Sequence, residues 1–579
     1  MDPASLKKLI DVARGRAPAD VLIAGARVVN VFTGEVLKGN VAVAEGRIAG
    51  VGDYREGRAV YEFPGRYLIP GLIDAHVHIE SSLLTPPHFA AAYLPHGVTA
   101  VVADPHEIAN VAGVGGIKYM IEAARDLPLS VFYTVPSCVP ASRLETAGAE
   151  IGTAEIEKIF QSYPESPGLA EVMNFPGVLE ADPQMLSRIG AAKKRGLAVD
   201  GHAPHVLGRD LQAYAAAGVQ SDHECTSAQE AREKLRAGLA VIVRGGSAAE
   251  NLEDLLPVID GYTCRFIMFG TDDIYPEDLL GEGGVDGILR RAVARGLNPL
   301  WALQMATVNP ARHYRLTGRG AVAPGYRADL AVVGDLVDWR VEAVFSGGEL
   351  VCRDGRVLAE MPDAGELDLF RERAGKVFKS VVLPRLHGRL EPSPPPHPGA
   401  CARVIEVLPG QIITRQALLP YKELQSDPAV LKVAVVERHG QSGSVAAGYV
   451  RGFGPLRGAL ASTVAHDSHN LIAVGDNTAD MELAAAVLAD AGGGLAAVSG
   501  GRILACLPLP VAGLMSDQPA PAVASRLRAL HRAASGMGCP LPSPFMTLSF
   551  LALPVIPELK ITDRGLVDVR EFKFVDLWV

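Results

Sequence analysis

Between residues 71 and 313, short apolar runs alternate with longer stretches of helical period. The runs "LIDAHVH", "VTAVVAD", "LSVFYTVPS", "LAEVMN", "LAVDGH", "VQSDHE", "LAVIVRGG" and "FIMFGTDD" read as strands. Between them, "GGIKYMIEAARDL", "AEIEKIFQSY", "PQMLSRIGAAKKRG" and "GILRRAVARG" read as helices. Roughly eight β–α units in about 250 residues is the arithmetic of a TIM-type (β/α)8 barrel. An open doubly wound sheet is the alternative, but no Gly-rich nucleotide fingerprint follows the first strand.

The flanks have a different rhythm. After an amphipathic helix in the first 20 or so residues, "ADVLIAGARVVNVFTGEVLKGNVAVAEGRIAGVG" has the short alternating runs and Gly turns of a small antiparallel sheet. A similar pattern returns in "GAVAPGYRADLAVVGDLVDWRVEAVFSGGELVCRDGRV", so the two flanks are expected to form one β-sandwich interrupted by the barrel. The expected organisation of this α/β chain is 1–70 for the helix and first part of the sandwich, 71–313 for the barrel and 314–361 for the second part. A proline-rich linker at 362–400 and a separate C-terminal α/β domain at 401–579 complete it.

Composition narrows the function. At 579 residues, 48% hydrophobic and 21% charged, the chain suits a globular protein with several cores. A net charge of -10 with no long basic run gives no electrostatic basis for binding nucleic acid or an anionic membrane, so small-molecule chemistry is the default. The seven cysteines are odd in number, scattered and without a C-x-x-C pair, which favours a reducing cytoplasm over a disulfide framework or a thiolate zinc site. No targeting or membrane-spanning segment is expected.

The chemistry starts in "GLIDAHVHIESS". Strand alternation would put Asp74, His76, His78 and Glu80 on one face and Ala75, Val77 and Ile79 on the other, packed outward. A buried row of carboxylates and imidazoles is costly unless paired or bound to metal. Further candidates end the other strands: Asp104, His106 and Glu107 the second, Glu171 the fourth, His202 the fifth, His223 and Glu224 the sixth, Asp272 and Asp273 the eighth. Imidazole and carboxylate donors without thiolates suit Zn, Mn or Fe, and two nearby divalent ions can share a bridging carboxylate.

"PGLIDAHVHIESS" resembles the first-strand signature of the amidohydrolase superfamily. That resemblance implies a metal-bearing barrel beside a small sandwich, with His76, His78, Glu171, His202, His223 and Asp272 as metal ligands. Glu171 stands where many relatives carry a carboxylated lysine. The narrower resemblance is to the adenine deaminase family of bacteria and archaea, carried by "HIESSLLTP", "HGVTAVVADPHEIANV", "AEVMNFPGV", "FGTDD", "RGALASTVAHDSHNLIAVGDNTADM", "LPLPVAGLMSD" and "LALPVIPELKITDRGLVDV". It covers nearly the whole chain. One departure is "TDDIYPEDL", which lacks the basic residue expected soon after the second Asp.

The resemblance implies hydrolysis of adenine to hypoxanthine and ammonia, with two divalent ions, Mn or Fe, or Zn in their place. The unrelated nucleobase deaminases that carry an H-x-E and P-C-x-x-C signature are not matched. Asp272 is the expected general base and then acid. The ring-nitrogen proton is assigned to Glu80 or His106 ahead of Glu107 and Glu224. Asp273 either meets substrate or caps a turn. His466, Asp467 and His469 in "VAHDSHN" bind a further metal, cover the substrate as a lid, or fix a turn. Substrate contact is expected from Glu107, Glu224, Asp273, His466 and His469, and the expected assembly is a homo-oligomer. The rival readings are a cyclic amidohydrolase acting on a related heterocycle and a non-catalytic nucleobase-binding protein.

Overall fold

A computed structural model describes residues 1–247, 249–362, 375–408 and 411–579 of this mixed α/β chain. Residues 363–374, within the expected linker, therefore lie outside the described residues. The chain opens with the helix Pro3–Ala13. Asp2 caps it by accepting the Ala4 and Ser5 N–H groups at 2.9 Å, and Pro3 occupies a position where no N–H is needed. Leu9 and Val12 bury that helix against Ala19, Leu22 and Ala42.

Two sheets follow from the flanks. Ala19–Ala24, Asn40–Ala44, Arg47–Gly52 and Gly57–Glu62 form a four-stranded sheet. A seven-stranded sheet combines Arg27–Val29, Val36–Lys38 and Tyr67–Pro70 with Leu330–Val333, Val341–Ser346, Glu349–Arg353 and Arg356–Val357. The two ends of the chain meet where Tyr67–Pro70 runs antiparallel to Leu330–Val333, with Leu68 opposite Val332. Apolar faces supply the reason: Val28, Leu68, Val332 and Phe345 of one sheet pack with Ile23, Val41 and Val43 of the other.

The central segment carries β1 (Leu72–Val77), β2 (Val98–Ala103), β3 (Ser130–Tyr133), β4 (Gly168–Val172), β5 (Ala198–Gly201), β6 (Ser221–Asp222), β7 (Ala240–Arg244) and β8 (Ile267–Gly270). Seven fall within one of the apolar runs of the sequence, and β4 starts one residue ahead of its run, at Gly168. Parallel ladders join β1 to β2, β2 to β3, β4 to β5, β6 to β7 and β7 to β8. Single bridges pair Val135 with Leu169 and Val77 with Asp272, and Gln220 N–H donates to the Val199 carbonyl at 2.9 Å. The helices Val114–Ala123, Thr153–Ser162, Pro183–Lys193 and Val285–Ala294 occupy the four segments whose period is helical.

Strand β1 departs from simple alternation. Its register with β2 shifts between Asp74 and Val77, and a one-residue slip exchanges faces. Ala75 consequently packs with Ile73 and with Ala100, Val102, Ala198, Ile242 and Met268 of four other strands, whereas Val77 joins a different cluster. Asp74 does not share the surroundings of His76 and His78. Its carboxylate accepts from Tyr93 Oη at 2.7 Å and Thr271 Oγ1 at 2.6 Å. Burial pushes the Asp74 carboxyl up to about 6 against those hydrogen bonds.

The C-terminal part is built on an eight-stranded sheet that runs from Thr414–Pro420 at one edge to Arg502–Pro508 at the other. Leu390, inside the expected linker, is fully buried against its core with Leu488 and Val498. Residues 463–470 connect two neighbouring strands of this sheet, Ala459–Ser462 and Leu471–Gly475, and reach the central segment. Asn470 Nδ2 donates to the Thr146 carbonyl at 2.9 Å, Thr146 N–H to Asp563 at 2.9 Å, and Ser516 N–H to the Leu83 carbonyl at 2.8 Å.

Two buried basic side chains brace the C-terminal part without carboxylate partners. Arg438 donates to the carbonyls of Ser380 and Ala512 at 2.9 Å and to that of His469. Lys560 Nζ donates to the carbonyls of Ile412 at 2.8 Å and Phe550 at 3.0 Å. Burial lowers the Lys560 amine from its ordinary 10.5 to about 7. The folded chain thus holds the amine neutral through a range in which the unfolded chain keeps it charged. Its contribution to stability is fully present above 10.5 and is lost as pH falls through about 7. The thermal midpoint of the native chain relative to Lys560→Met is therefore expected to rise between pH 7 and pH 10, and parallel melting profiles would contradict this.

Candidate active site

The carboxylate of Glu171, at the end of β4, is the point on which four strand ends and one loop converge. Its Oε1 lies 3.3 Å from His78 Nε2 and 3.4 Å from His106 Nδ1, and its Oε2 lies 2.7 Å from His202 Nδ1 and 3.2 Å from His223 Nε2. Asp272 follows β8 and places Oδ1 3.3 Å from His76 Nε2 and 3.2 Å from His78 Nε2. The rings of His76 and His223 stack with centroids 4.2 Å apart. All six residues read from the sequence as metal ligands thus meet in one buried place, supplied by β1, β4, β5, β6 and β8. Burial alone would raise the Glu171 and Asp272 carboxyls, but the surrounding imidazoles, together with Arg244 at Asp272, hold both well below the usual range.

The donor set fits divalent cations. His76 Nε2 is buried without a hydrogen-bond partner, and His76, His78 and Asp272 offer donor atoms within 4.8 Å of one another, as do His76, Glu171 and His223. Nitrogen and carboxylate oxygen are ligands that Mn, Fe and Zn all accept. His76, His78, Glu171, His202, His223 and Asp272 are the candidates to hold such ions.

A second layer fixes the first. Asp104 accepts the His106 backbone N–H at 3.0 Å and lies 3.0 Å from its Nδ1, which leaves Nε2 turned towards Glu107 and Asp467. Beside His223, Asp222 accepts from the fully buried Lys234 at 2.8 Å and from Glu224 N–H at 3.0 Å. Ser81 donates to Asp273 at 2.5 Å. Glu80, expected to face substrate, does not line the cavity. The chain turns into a short helix at Ile79–Ser82, and Glu80 Oε1 accepts the Ile108 N–H at 3.2 Å instead.

Arg244 was not among the candidates read from the sequence, although it ends β7 in "VIVRGG" as the others end their strands. Its guanidinium pairs with both oxygens of Glu224 and donates to Asp272 Oδ2 at 3.0 Å. It supplies a cation beside Asp272 that the segment after Asp273 does not. The next turn comes so close that a Cβ at Gly246 would collide with the Thr271 and Asp273 carbonyls.

The C-terminal part completes the cavity. His466 Nδ1 lies 2.8 Å from Glu107 Oε1, and His469 Nε2 contacts the other oxygen. The His466 ring stacks on Phe550 at 4.7 Å, and Ile412, Phe550, Leu553 and Ile556 form an apolar wall with Met173. His466 and Asp467 line the cavity, whereas His469 stands behind them with its carbonyl held by Arg438.

Comparison with known proteins agrees with this two-part construction. The model of the amidohydrolase family matches residues 67–351, and that of the adenine deaminase C-terminal domain matches residues 411–573. A protein of Desulfatibacillum aliphaticivorans named adenine deaminase is 49% identical over 577 residues, covering 99% of each chain. The chain belongs to the adenine deaminase family. Other members are similar throughout: one from Dehalococcoides mccartyi is 46% identical over 579 residues, with 99% of each chain covered. One from Kosmotoga olearia is 42% identical over 579 residues, covering 99% of this chain and 98% of the other. The family's C-terminal match contains His466, His469 and Phe550, so its two matched parts contribute to one cavity.

Removing Arg244 would leave Glu224 buried without its guanidinium, with only the His202 and His223 imidazoles near it at 3.8 and 3.6 Å. Arg244→Met is expected to destabilise the metal-depleted protein by about 3 kcal/mol, read from equilibrium unfolding, and Arg244→Lys to recover part of the loss. An unchanged midpoint in Arg244→Met would show that the guanidinium does not balance these charges.

Proposed function

We infer that the chain hydrolyses adenine to hypoxanthine and ammonia. The observation that carries this reading is the meeting of Glu171 and Asp272 with imidazoles from β1, β5 and β6 beneath a cavity lined by the deaminase-type C-terminal part. Relatives named adenine deaminase support it along the full chain.

The fold reading that accompanies it is a (β/α)8 barrel beside a sandwich made from both flanks, with a C-terminal α/β domain after the linker. Parallel ladders along β1–β2–β3, β4–β5 and β6–β7–β8, the single bridge between Val135 and Leu169, the Gln220 to Val199 hydrogen bond and the bridge from Val77 back to the turn after β8 support the barrel. His76, His78, Glu171, His202, His223 and Asp272 are assigned to two divalent ions, Mn or Fe, with Zn as the alternative. Such ions make water a competent nucleophile near neutral pH.

The remaining work falls to side chains. Asp272, kept ionised beside Arg244, takes a proton from the attacking water and returns it to the departing amine. His106 is assigned the proton for the ring nitrogen ahead of Glu80, because His106 lines the cavity and Glu80 does not. Burial opposes its charged form, but Asp104 and Glu107 favour it and raise the His106 imidazole above its ordinary value, which suits it to giving a proton. Glu107 is occupied by two histidines and Glu224 by Arg244, which suits both to holding neighbours in place. His466 and Phe550 shield the reacting carbon from bulk water.

No helix among the described residues is long and apolar enough to cross a membrane, and all seven cysteines are free, which fits the reducing cytoplasm. Incubation of Mn-loaded protein with adenine is expected to give equimolar hypoxanthine and ammonia, and chelation to abolish both. Asp272→Asn is expected to lower kcat by about 1,000-fold. Release of neither product, or a cyclic amide cleaved while adenine persists, would sink the deaminase reading.

A further inference from the structure

Asp467 is 4% exposed and lines the cavity. Among the described residues no hydrogen-bond donor reaches either oxygen: Oδ2 has no partner, and His106 Nε2 and His466 Nδ1 both stand 4.0 Å from Oδ1. The other acidic groups of the cavity are engaged. Glu107 meets His466 and His469, Glu171 meets the imidazoles, Glu224 and Asp272 meet Arg244, and Asp273 accepts from Ser81.

A buried carboxylate without a donor is costly, so a bound molecule that brings one gains affinity there. A carboxylate accepts hydrogen bonds and donates none. Adenine carries two kinds of N–H group, the exocyclic amine that leaves in the reaction and the azole N–H of the imidazole ring. The amine-bearing carbon belongs beside Glu171 and Asp272. Asp467 stands beyond His106, whose other nitrogen is 3.4 Å from Glu171, and therefore about one imidazole ring further out. The azole N–H is the donor that matches that place. Substitution at N9 removes it in both tautomers, because no mobile proton then remains for N7.

We propose, resting on the deaminase reading above, that Asp467 accepts the azole N–H of the bound purine and so makes the site selective for bases with an unsubstituted imidazole ring. Nucleosides and nucleotides would leave this carboxylate unpaired. A site built to bond an N–H rejects the analogue lacking it far more strongly than a pocket rejects one extra methyl group.

The test compares adenine with 9-methyladenine on the native chain and on Asp467→Asn, both Mn-loaded and with metal content measured. The native chain is expected to prefer adenine in kcat/KM by at least about 100-fold. In Asp467→Asn the ratio is expected to fall below about 10, because adenine exchanges a charged acceptor for a weaker neutral one, whereas 9-methyladenine no longer leaves a buried carboxylate unpaired. Asn and Asp are nearly isosteric, so rejection by a mere clash with the methyl group would persist in the variant. Calorimetric binding of hypoxanthine and 9-methylhypoxanthine gives the same contrast without turnover. Native activity on both bases within about tenfold, or an unchanged ratio in Asp467→Asn, would overturn the role of Asp467 alone. The first of these decides the matter even if the variant does not fold. Failure of the native chain to convert adenine would overturn the deaminase reading and this inference with it.

Discussion

Two carboxylates buried among imidazoles set the terms for the rest of this molecule. Glu171 and Asp272 come from strands distant in sequence, and each would be intolerable in the interior without the nitrogens of His76, His78, His202 and His223 around it. Charge balance therefore fixes which strand ends stand together. It also explains the second layer, in which Asp104 orients His106, Lys234 neutralises Asp222 beside His223, and Arg244 bridges Glu224 and Asp272. Such partners hold donor atoms in place before any ligand arrives.

The cavity is completed from elsewhere in the chain. Glu107 receives His466 and His469 from a turn in the C-terminal sheet, and that turn is held by a guanidinium that donates to backbone carbonyls. Lys560 does similar work for Ile412 and Phe550, both of which line the cavity. These basic side chains act as hydrogen-bond hubs rather than as members of ion pairs. They join polar groups of the backbone that would otherwise be buried unsatisfied.

The bulge in β1 shows how a one-residue irregularity serves a site. Simple alternation would place Asp74 with His76 and His78, bringing a further negative charge into the cluster. The shift instead gives Asp74 to Tyr93 and Thr271, where it braces β1 against the turn that carries Asp272. Glu80 is likewise diverted, to the Ile108 N–H, by the turn that ends the strand.

By itself the sequence determined the elements and the inventory of chemistry. Apolar runs of strand length located all eight strands of the central segment, since burial dictates local hydrophobicity, and the histidines and acids at their ends marked the donor set. The adenine deaminase resemblance was legible because its motifs are contiguous. What required tertiary structure were relations between distant residues and small departures from periodicity. Arg244 resembles any strand-end arginine until Glu224 and Asp272 are seen beside it, and Asp467 resembles a turn former until its carboxylate is seen in the cavity without a donor. The facing of Asp74 and Glu80 depended on a bulge and a helical turn that side-chain alternation does not encode. Hydrophobic pattern is written locally along the chain, whereas charge pairing and hydrogen-bond satisfaction are settled only when separate segments meet.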